Sequence, residues 1–265
     1  MTVAAADAEV AAAEGWAALG TGCAEGEGPD GAAVLTFWVA PGSAGAARLR
    51  AALASAGVAA TVGEAPEDPS WQDATRAFHR PVEIAGRLLV RPPWEDPRPG
   101  LADVVIDPGM AFGTAQHATT RACLTLLCGL PADGPLVDAG CGSGVLSVAA
   151  RRLGFDPVSA FDFDPLSVAA TVANARANGV ALTVARRTIG ADRLPAAPVV
   201  LANLTGTVLR MLAAALPEPH PRVLIASGMR PEEVEGVAAA FAPAGLHPAR
   251  RIDDDGWSTV LMERG

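Results

Sequence analysis

The chain has 265 residues, 50% of them hydrophobic, and a formal charge of −9, which allows one large core or one large and one small. An acidic surface repels phosphate backbones, so nucleic acid is excluded as a direct partner, and a basic protein or a cationic small molecule fits better. All 20 basic residues are arginine, which excludes Schiff-base catalysis and a P-loop lysine.

The four cysteines (Cys23, Cys123, Cys128, Cys141) have no C-x-x-C spacing, so neither a zinc site nor a disulfide framework is expected. The N-terminus has no basic signal region and no apolar run approaches membrane-spanning length, which reads as a cytoplasmic chain. No metal-ligand cluster is apparent, because His79, His220 and His247 are scattered.

Residues 1–65 read as a small N-terminal α/β domain for substrate recognition. They contain a strand at 34-VLTFWVA-40, an Ala-rich helix at about 44–56 and a strand at 58-VAATV-62, with 24-AEGEGPDG-31 as a hairpin or mobile loop. Residues 66–96 read as a linker. Within it, Asp68 or Ser70 caps a helix carrying Trp71 and Phe78 on one face, and 82-VEIAGRLLVRPPW-94 forms a strand pair ending in prolines.

From residue 97 to 265 the pattern changes. Short apolar runs at 135-PLVDA-139, 157-PVSAF-161, 181-ALTVA-185, 198-PVVLAN-203 and 221-PRVLIAS-227 alternate with helical patterns at about 143–153, 165–178, 205–215 and 231–243. Continuous apolar strands alternating with helices mean βαβ units and a buried parallel sheet. Two last strands, 246-LHPARRI-252 and 256-GWSTVLMER-264, are separated only by a turn and form an antiparallel pair at a sheet edge. The fold class is therefore α/β, a Rossmann-like seven-stranded methyltransferase sheet preceded by the small domain.

The first of these strands runs into 138-DAGCGSG-144. Open α/β sheets bind ligands outside the carboxyl ends of their strands, where glycines let backbone and ligand approach closely. The spacing is D-x-G-x-G-x-G rather than the dinucleotide fingerprint, which suits S-adenosylmethionine, a cofactor without a phosphate. Gly140, Gly142 and Gly144 are assigned to cofactor contact, and Asp138 supports the loop or meets the ammonium group. Asp162 follows Gly140 by 22 positions, where such folds place the acid that accepts both ribose hydroxyls. Asp164-Pro165 begins the next helix, with Asp164 as its cap.

The fourth strand brings Asn203 to the same sheet edge. Its amide oxygen can accept N–H bonds from an amine and aim the nitrogen lone pair at a methyl group; the competing reading is a helix cap near Thr205. Enzymes that methylate planar nitrogens often carry N-P-P-Y here, with a stacking ring. This chain has N-L-T-G and no tyrosine, which points to a tetrahedral amine.

Taken together, W-x6-F (Trp71, Phe78), GRLLVRPPW, DPGMAFGTAQHATT, VDAGCGSGVL, FDFDP, ANLTG and SGM resemble the PrmA-type methyltransferases, which methylate amino groups of a large-subunit ribosomal protein. The resemblance covers about residues 71–265. It implies cofactor contacts at Thr120, Gly140, Asp162 and Asn203, with Thr120 supplied by the resemblance alone. Phe112, Gly113 and Thr114 are expected to border the methyl-transfer cleft, His117 to orient this flap, and Gly228 to lie near the acceptor. Where the family reads GTGTH-P-TT, this chain has Ala115 and Gln116 in place of a glycine and a threonine. The implied activity is protein N-methylation of a lysine or N-terminal amine. A small-molecule or peptide amine is the alternative acceptor, and a non-catalytic binding module that kept the fold is a third reading.

Overall fold

The protein is described by a computed structural model covering residues 1–19, 23–28, 31–37, 39, 44–63, 79–107 and 115–265. The chain divides into two compact units, Met1–Gln72 and Asp73–Gly265. The helix expected around Trp71 and Phe78 lies outside the described residues.

In the first unit the order is β1 (Thr2–Val3), α1 (Ala8–Leu19), β2 (Cys23–Glu27), β3 (Ala33–Phe37), α2 (Gly45–Ser55) and β4 (Ala60–Thr61). The strands lie in the order β2-β3-β1-β4 with every neighbour antiparallel. A β-α-β-β-α-β chain with this order is the ferredoxin-like split βαβ arrangement. Its core is small: Val3, Ala33 and Leu35 on the sheet meet Ala8 and Ala11 of α1 and Leu49 and Leu53 of α2. Of the stretch 24-AEGEGPDG-31, expected to be a hairpin or mobile loop, residues 24–27 lie in β2 and pair antiparallel with β3. The short β1 and the helix α1 carried no periodic signal, because an alanine-rich helix has no sharp boundary between apolar and polar faces.

The second unit opens with β5 (Val82–Ile84), β6 (Leu88–Arg91) and β7 (Ala102–Val105), a small sheet in the order β5-β6-β7. The β5–β6 connection passes through Ala85 and Gly86, both left-handed at φ 51° and 63°. The segment 82–94, expected as a strand pair within the 66–96 linker, forms β5 and β6, and its Ile84, Leu88 and Val90 are buried in the large core of this unit. Their apolar faces are too short to be recognised by periodicity alone.

The main sheet is built from β8 (Leu136–Ala139), β9 (Val158–Asp162), β10 (Thr183–Arg186), β11 (Val199–Asn203), β12 (Val223–Met229), β13 (Leu246–Asp254) and β14 (Trp257–Arg264). The order is β10-β9-β8-β11-β12-β14-β13. Strands β8 to β12 are parallel, and β14 runs antiparallel between β12 and β13. The β13–β14 turn passes through Asp255 and Gly256 at φ 50° and 71°, the left-handed pair that an Asp-Gly hairpin prefers. Alternate residues point to opposite faces. Leu136, Val199, Leu201, Val223 and Ile225 pack with helices α3 (Ala118–Cys128) and α4 (Val145–Leu153). Val137, Ala139, Val200, Ala202 and Leu224 pack with α6 (Gly206–Ala215) and α7 (Val234–Phe241). Burial on both faces explains why these strands read as unbroken apolar runs.

Helix α5 (Pro165–Ala177) begins as expected, with Asp164 Oδ1 accepting from Leu166 N at 2.9 Å and Pro165 in the first turn. Two asparagines at its carboxyl end tie distant backbone together. Asn178 Oδ1 accepts from Val105 N at 2.8 Å while its Nδ2 donates to Val105 O at 2.6 Å. Asn174 accepts from Asp107 N at 3.2 Å and donates to Ser143 O at 2.8 Å. Replacing Asn178 with leucine leaves the half-buried N–H and C=O of Val105 without this partner, so denaturant unfolding should show a loss of about 1–3 kcal/mol. An unchanged midpoint would mean that this clamp contributes nothing.

Candidate functional site

The strand order reverses at β8, the first strand of the alternating series, which is flanked by β9 on one side and β11 on the other. Ligands bind at such a switch point because adjacent connections leave in opposite directions and open a crevice. A cavity of about 390 Å³ lies there, lined by residues that include Thr120, Gly140, Gly142, Asp162, Asn203 and Leu204. Its remaining wall is largely apolar, with Val145, Leu146, Phe161, Phe163, Ile189, Val208 and Met211. Phe163 and Met211 are 68% and 46% exposed, which leaves an apolar lip.

The glycine loop between β8 and α4 is held from outside itself. Gly140 N and Cys141 N donate to Phe161 O at 2.8 and 3.1 Å, and Gly142 N donates to Asp162 Oδ2 at 3.1 Å. Thr171 Oγ1 donates to Gly142 O at 2.9 Å. Gly140, Gly142 and Gly144 have φ of 75°, 53° and 81°, a region that side chains with a Cβ disfavour. Gly144 is also closed sterically, since a Cβ there would meet Thr171 Cγ2 at 2.8 Å. Gly140 and Gly142 line the cavity; Gly144 instead caps α4.

Asp162 is 7% exposed at the end of β9. Its Oδ1 accepts from Asp164 N at 3.0 Å while Oδ2 takes the Gly142 amide. Each oxygen retains a lone pair for a ligand hydroxyl. Arg187 is the cationic side chain among the described lining residues, and it donates to Arg193 O at 2.8 Å. The apolar wall with two carboxylates, Asp162 and Asp164, fits a nucleoside such as S-adenosylmethionine, and its described residues offer no cluster of cations for phosphates.

Asp138 sits beneath the loop and does not line the cavity. It is 1% exposed and accepts from Ser147 Oγ at 2.5 Å, while its Oδ1 is buried without a partner. Its hydrogen bond goes to Ser147 in α4, the helix that follows the loop. Burial pushes its carboxyl up to about 6, with the Ser147 hydrogen bond opposing the shift.

Asn203 lies at the end of β11. Helix α6 is capped at Thr205 without a side-chain bond, so Asn203 is not its cap. Instead Asn203 Nδ2 donates to Thr119 Oγ1 at 3.1 Å and Thr120 Oγ1 at 3.5 Å. Thr119 was absent from the expected site and is reached only through this contact across 84 positions. His117 caps α3, with Nδ1 accepting from Thr119 N at 3.3 Å. Its ring meets Trp257 edge-on at 5.4 Å, and the Arg230 guanidinium stacks on the same indole at 4.1 Å.

Gly228, expected near the acceptor, is not among the cavity-lining residues described. With φ at 86°, a Cβ there would come within 2.5 Å of Leu204 O. Its lack of a side chain lets the backbone after Asn203 approach β12, where Leu204 N donates to Ser227 O at 2.8 Å. Ala115 and Gln116 likewise lie away from the described cavity wall. Ala115 is fully buried at φ 61°, a conformation that accounts physically for a glycine in the family pattern. Gln116 Nε2 donates to Arg80 O at 2.7 Å. Phe112, Gly113 and Thr114 lie outside the described residues. Among those described, no group of three or more His, Cys, Asp or Glu could hold a metal, and no helix is long and apolar enough to cross a membrane.

The raised carboxyl of Asp138 has a consequence for stability. Well below the unfolded value of 3.8 the group is protonated in both folded and unfolded chains and costs nothing. As pH rises to about 6 the unfolded chain ionises first, so the folded state loses on the order of 3 kcal/mol relative to a neutral side chain. Asp138→Asn should therefore gain thermal stability over the parent between pH 4 and 7 in cofactor-free protein. A pH-independent difference in melting temperature would contradict the burial argument.

The sequence pattern described as ribosomal protein L11 methyltransferase (PrmA) matches residues 43–265. The ribosomal protein L11 methyltransferase of Pelotomaculum thermopropionicum is 42% identical over 218 residues, covering 80% of this chain and 70% of that protein. Its counterpart in Bordetella parapertussis is 39% identical over 243 residues, covering 82% and 76%. The one from Symbiobacterium thermophilum is 37% identical, covering 74% of this chain but 66% of that protein, so the chain spans slightly under two thirds of this relative. Among solved structures, a ribosomal protein L11 methylase from Lactobacillus delbrueckii subsp. bulgaricus superposes with a TM-score of 0.62 at 25% identity, covering 70% of this chain and 99% of that one. With the crevice, the glycine loop and its acid in the places such a fold requires, the chain belongs to the ribosomal protein L11 methyltransferase (PrmA) family.

Proposed function

We propose that this chain transfers methyl groups from S-adenosylmethionine to amino groups of ribosomal protein L11, in the cytoplasm and without direct contact to nucleic acid. The observation that carries the reading is the meeting of two groups at one switch-point crevice. Asp162 lies at the end of β9 and Asn203 at the end of β11, and both line the same cavity. Family membership supplies the acceptor class, and the acidic chain suits a basic ribosomal protein.

S-adenosylmethionine supplies an electrophilic methyl group on a sulfonium. The residues of the chain bind, orient and exclude water. Asp162, with its two oxygens fixed by backbone N–H groups, accepts the ribose hydroxyls. Gly140 and Gly142 bring backbone against the ligand, and Thr120 borders it. Asn203 accepts an N–H of the amine so that the nitrogen lone pair is directed at the methyl, a contribution of orientation rather than acid–base chemistry. The acceptor must be neutral, since a lysine amine titrates near 10.4 and an α-amino group near 8. Loss of that proton to solvent before the amine is enclosed suffices for this step.

Labelled S-adenosylmethionine incubated with purified L11 and, separately, with metabolite and peptide extracts tests the acceptor. Label on L11 is expected. Label only on small molecules would move the activity to the alternative acceptor, and none on either would leave a binding module. Two variants separate the site roles. Asp162→Ala, which removes two hydrogen bonds to a charged acceptor, should weaken cofactor binding about 100-fold. Asn203→Ala should lower kcat about 100-fold while calorimetric cofactor affinity stays within a few-fold. Equal losses of affinity in both variants would place Asn203 in cofactor binding alone.

A further inference from the structure

The Asn203 amide is held by a chain of hydrogen bonds that contains no ligand. Nδ2 lies 3.1 Å from Thr119 Oγ1, which lies 2.7 Å from His117 Nδ1; the backbone N–H of Thr119 points at that same nitrogen at 3.3 Å. Taking the backbone contact as a hydrogen bond sets the protons along this chain, with the one lone pair of Nδ1 shared by the two Thr119 donors. A backbone N–H only donates, so His117 Nδ1 receives it with a lone pair and the ring proton sits on Nε2. Nδ1 is then an acceptor for the Thr119 hydroxyl as well. That hydroxyl has one proton, and it is committed to the ring. Oγ1 can offer Asn203 only a lone pair, so the NH2 end of the amide must face it and Oδ1 must face the other way.

The orientation matters chemically. If the amide were reversed, Nδ2–H would donate to the amine and occupy the lone pair that has to attack the methyl. With Oδ1 presented, the amine donates and its lone pair stays free. Thr119 is 2% exposed, and neither it nor His117 is among the residues lining the described cavity. We infer that His117 and Thr119 are a pair of positioning residues that lock the Asn203 amide with its oxygen toward the acceptor amine. This inference rests on the role of Asn203 proposed above.

Thr119→Val keeps the branched shape and removes the hydroxyl, while Thr119→Ser keeps the hydroxyl. The valine variant should lose about 10- to 100-fold in kcat with cofactor affinity unchanged, and serine should restore most of it. A sharper test reverses the proton requirement. Asn203→Asp puts a second acceptor against Thr119 Oγ1, and removing His117 frees the hydroxyl to donate to it. His117→Ala should therefore lower kcat in the parent and raise it in the Asn203→Asp background. Loss of the same factor in both backgrounds, or full activity in Thr119→Val, would overturn the relay. Nitrogen-15 NMR of the His117 ring in the cofactor-free protein gives a readout that requires no methyl acceptor. A proton on Nε2 with bare Nδ1 is expected, and a proton on Nδ1 would overturn the relay even if L11 proved not to be the substrate.

Discussion

The carboxylate of Asp162 joins two strand ends that would otherwise be independent. One oxygen takes the amide of Gly142 in the loop after β8, and the other takes the amide of Asp164, which starts α5 after β9. Because the carboxylate is almost fully buried, each bond forms where water competes poorly and is correspondingly strong. The carbonyl of Phe161, one residue earlier, anchors Gly140 and Cys141 in the same way. The glycine loop thus takes its shape from the neighbouring strand as much as from its own left-handed residues. A ligand contacting Asp162 would couple directly to that loop.

A second layer of restraint comes from α5. Thr171 and Asn174 hold the carbonyls of Gly142 and Ser143, and Asn174 and Asn178 reach across to Asp107 and Val105 at the end of β7. One helix therefore connects the loop that lines the cavity to the strand that leads into the segment before α3. The buried amides satisfy backbone groups at the ends of elements, where regular secondary structure leaves donors and acceptors open. On the acceptor side, Gly228 lets β12 approach the backbone of Leu204 so closely that no side chain could intervene. The ordering of Asn203 is in this way shared between strand pairing, a glycine contact and the threonine pair of α3.

The legibility of this site follows the range of the interactions. The glycine loop, Asp162 and Asp164 were readable because each is set by local geometry: left-handed turns, a strand end and a helix cap. Asn203 was readable as a strand-end residue, but whether it capped α6 or served the cavity was undecidable from neighbours alone. The contact with Thr119 on α3 decides it. Gly228 was placed near the acceptor from its position after a strand, whereas its role is a close backbone contact that only the packed sheet reveals. The strand pair of β5 and β6 was readable at 82–94, but strands of three and four residues have too little periodicity to show that they join the large core.

By itself, the sequence determined the alternation of buried parallel strands with helices, the closing antiparallel hairpin, and the pairing of a glycine loop with an acid at the next strand end. These follow from periodicity, turn chemistry and short spacings, which are properties of neighbouring residues. Only the tertiary structure decided the environment of Asp138, whose carboxyl is raised by burial, and the contact of Asn203 with Thr119. It also decided the ferredoxin-like order of the first unit, in which a two-residue strand lies between β3 and β4. In each case the deciding energy is a desolvation or a hydrogen bond between residues far apart in sequence, and that energy exists only once the chain has brought them together.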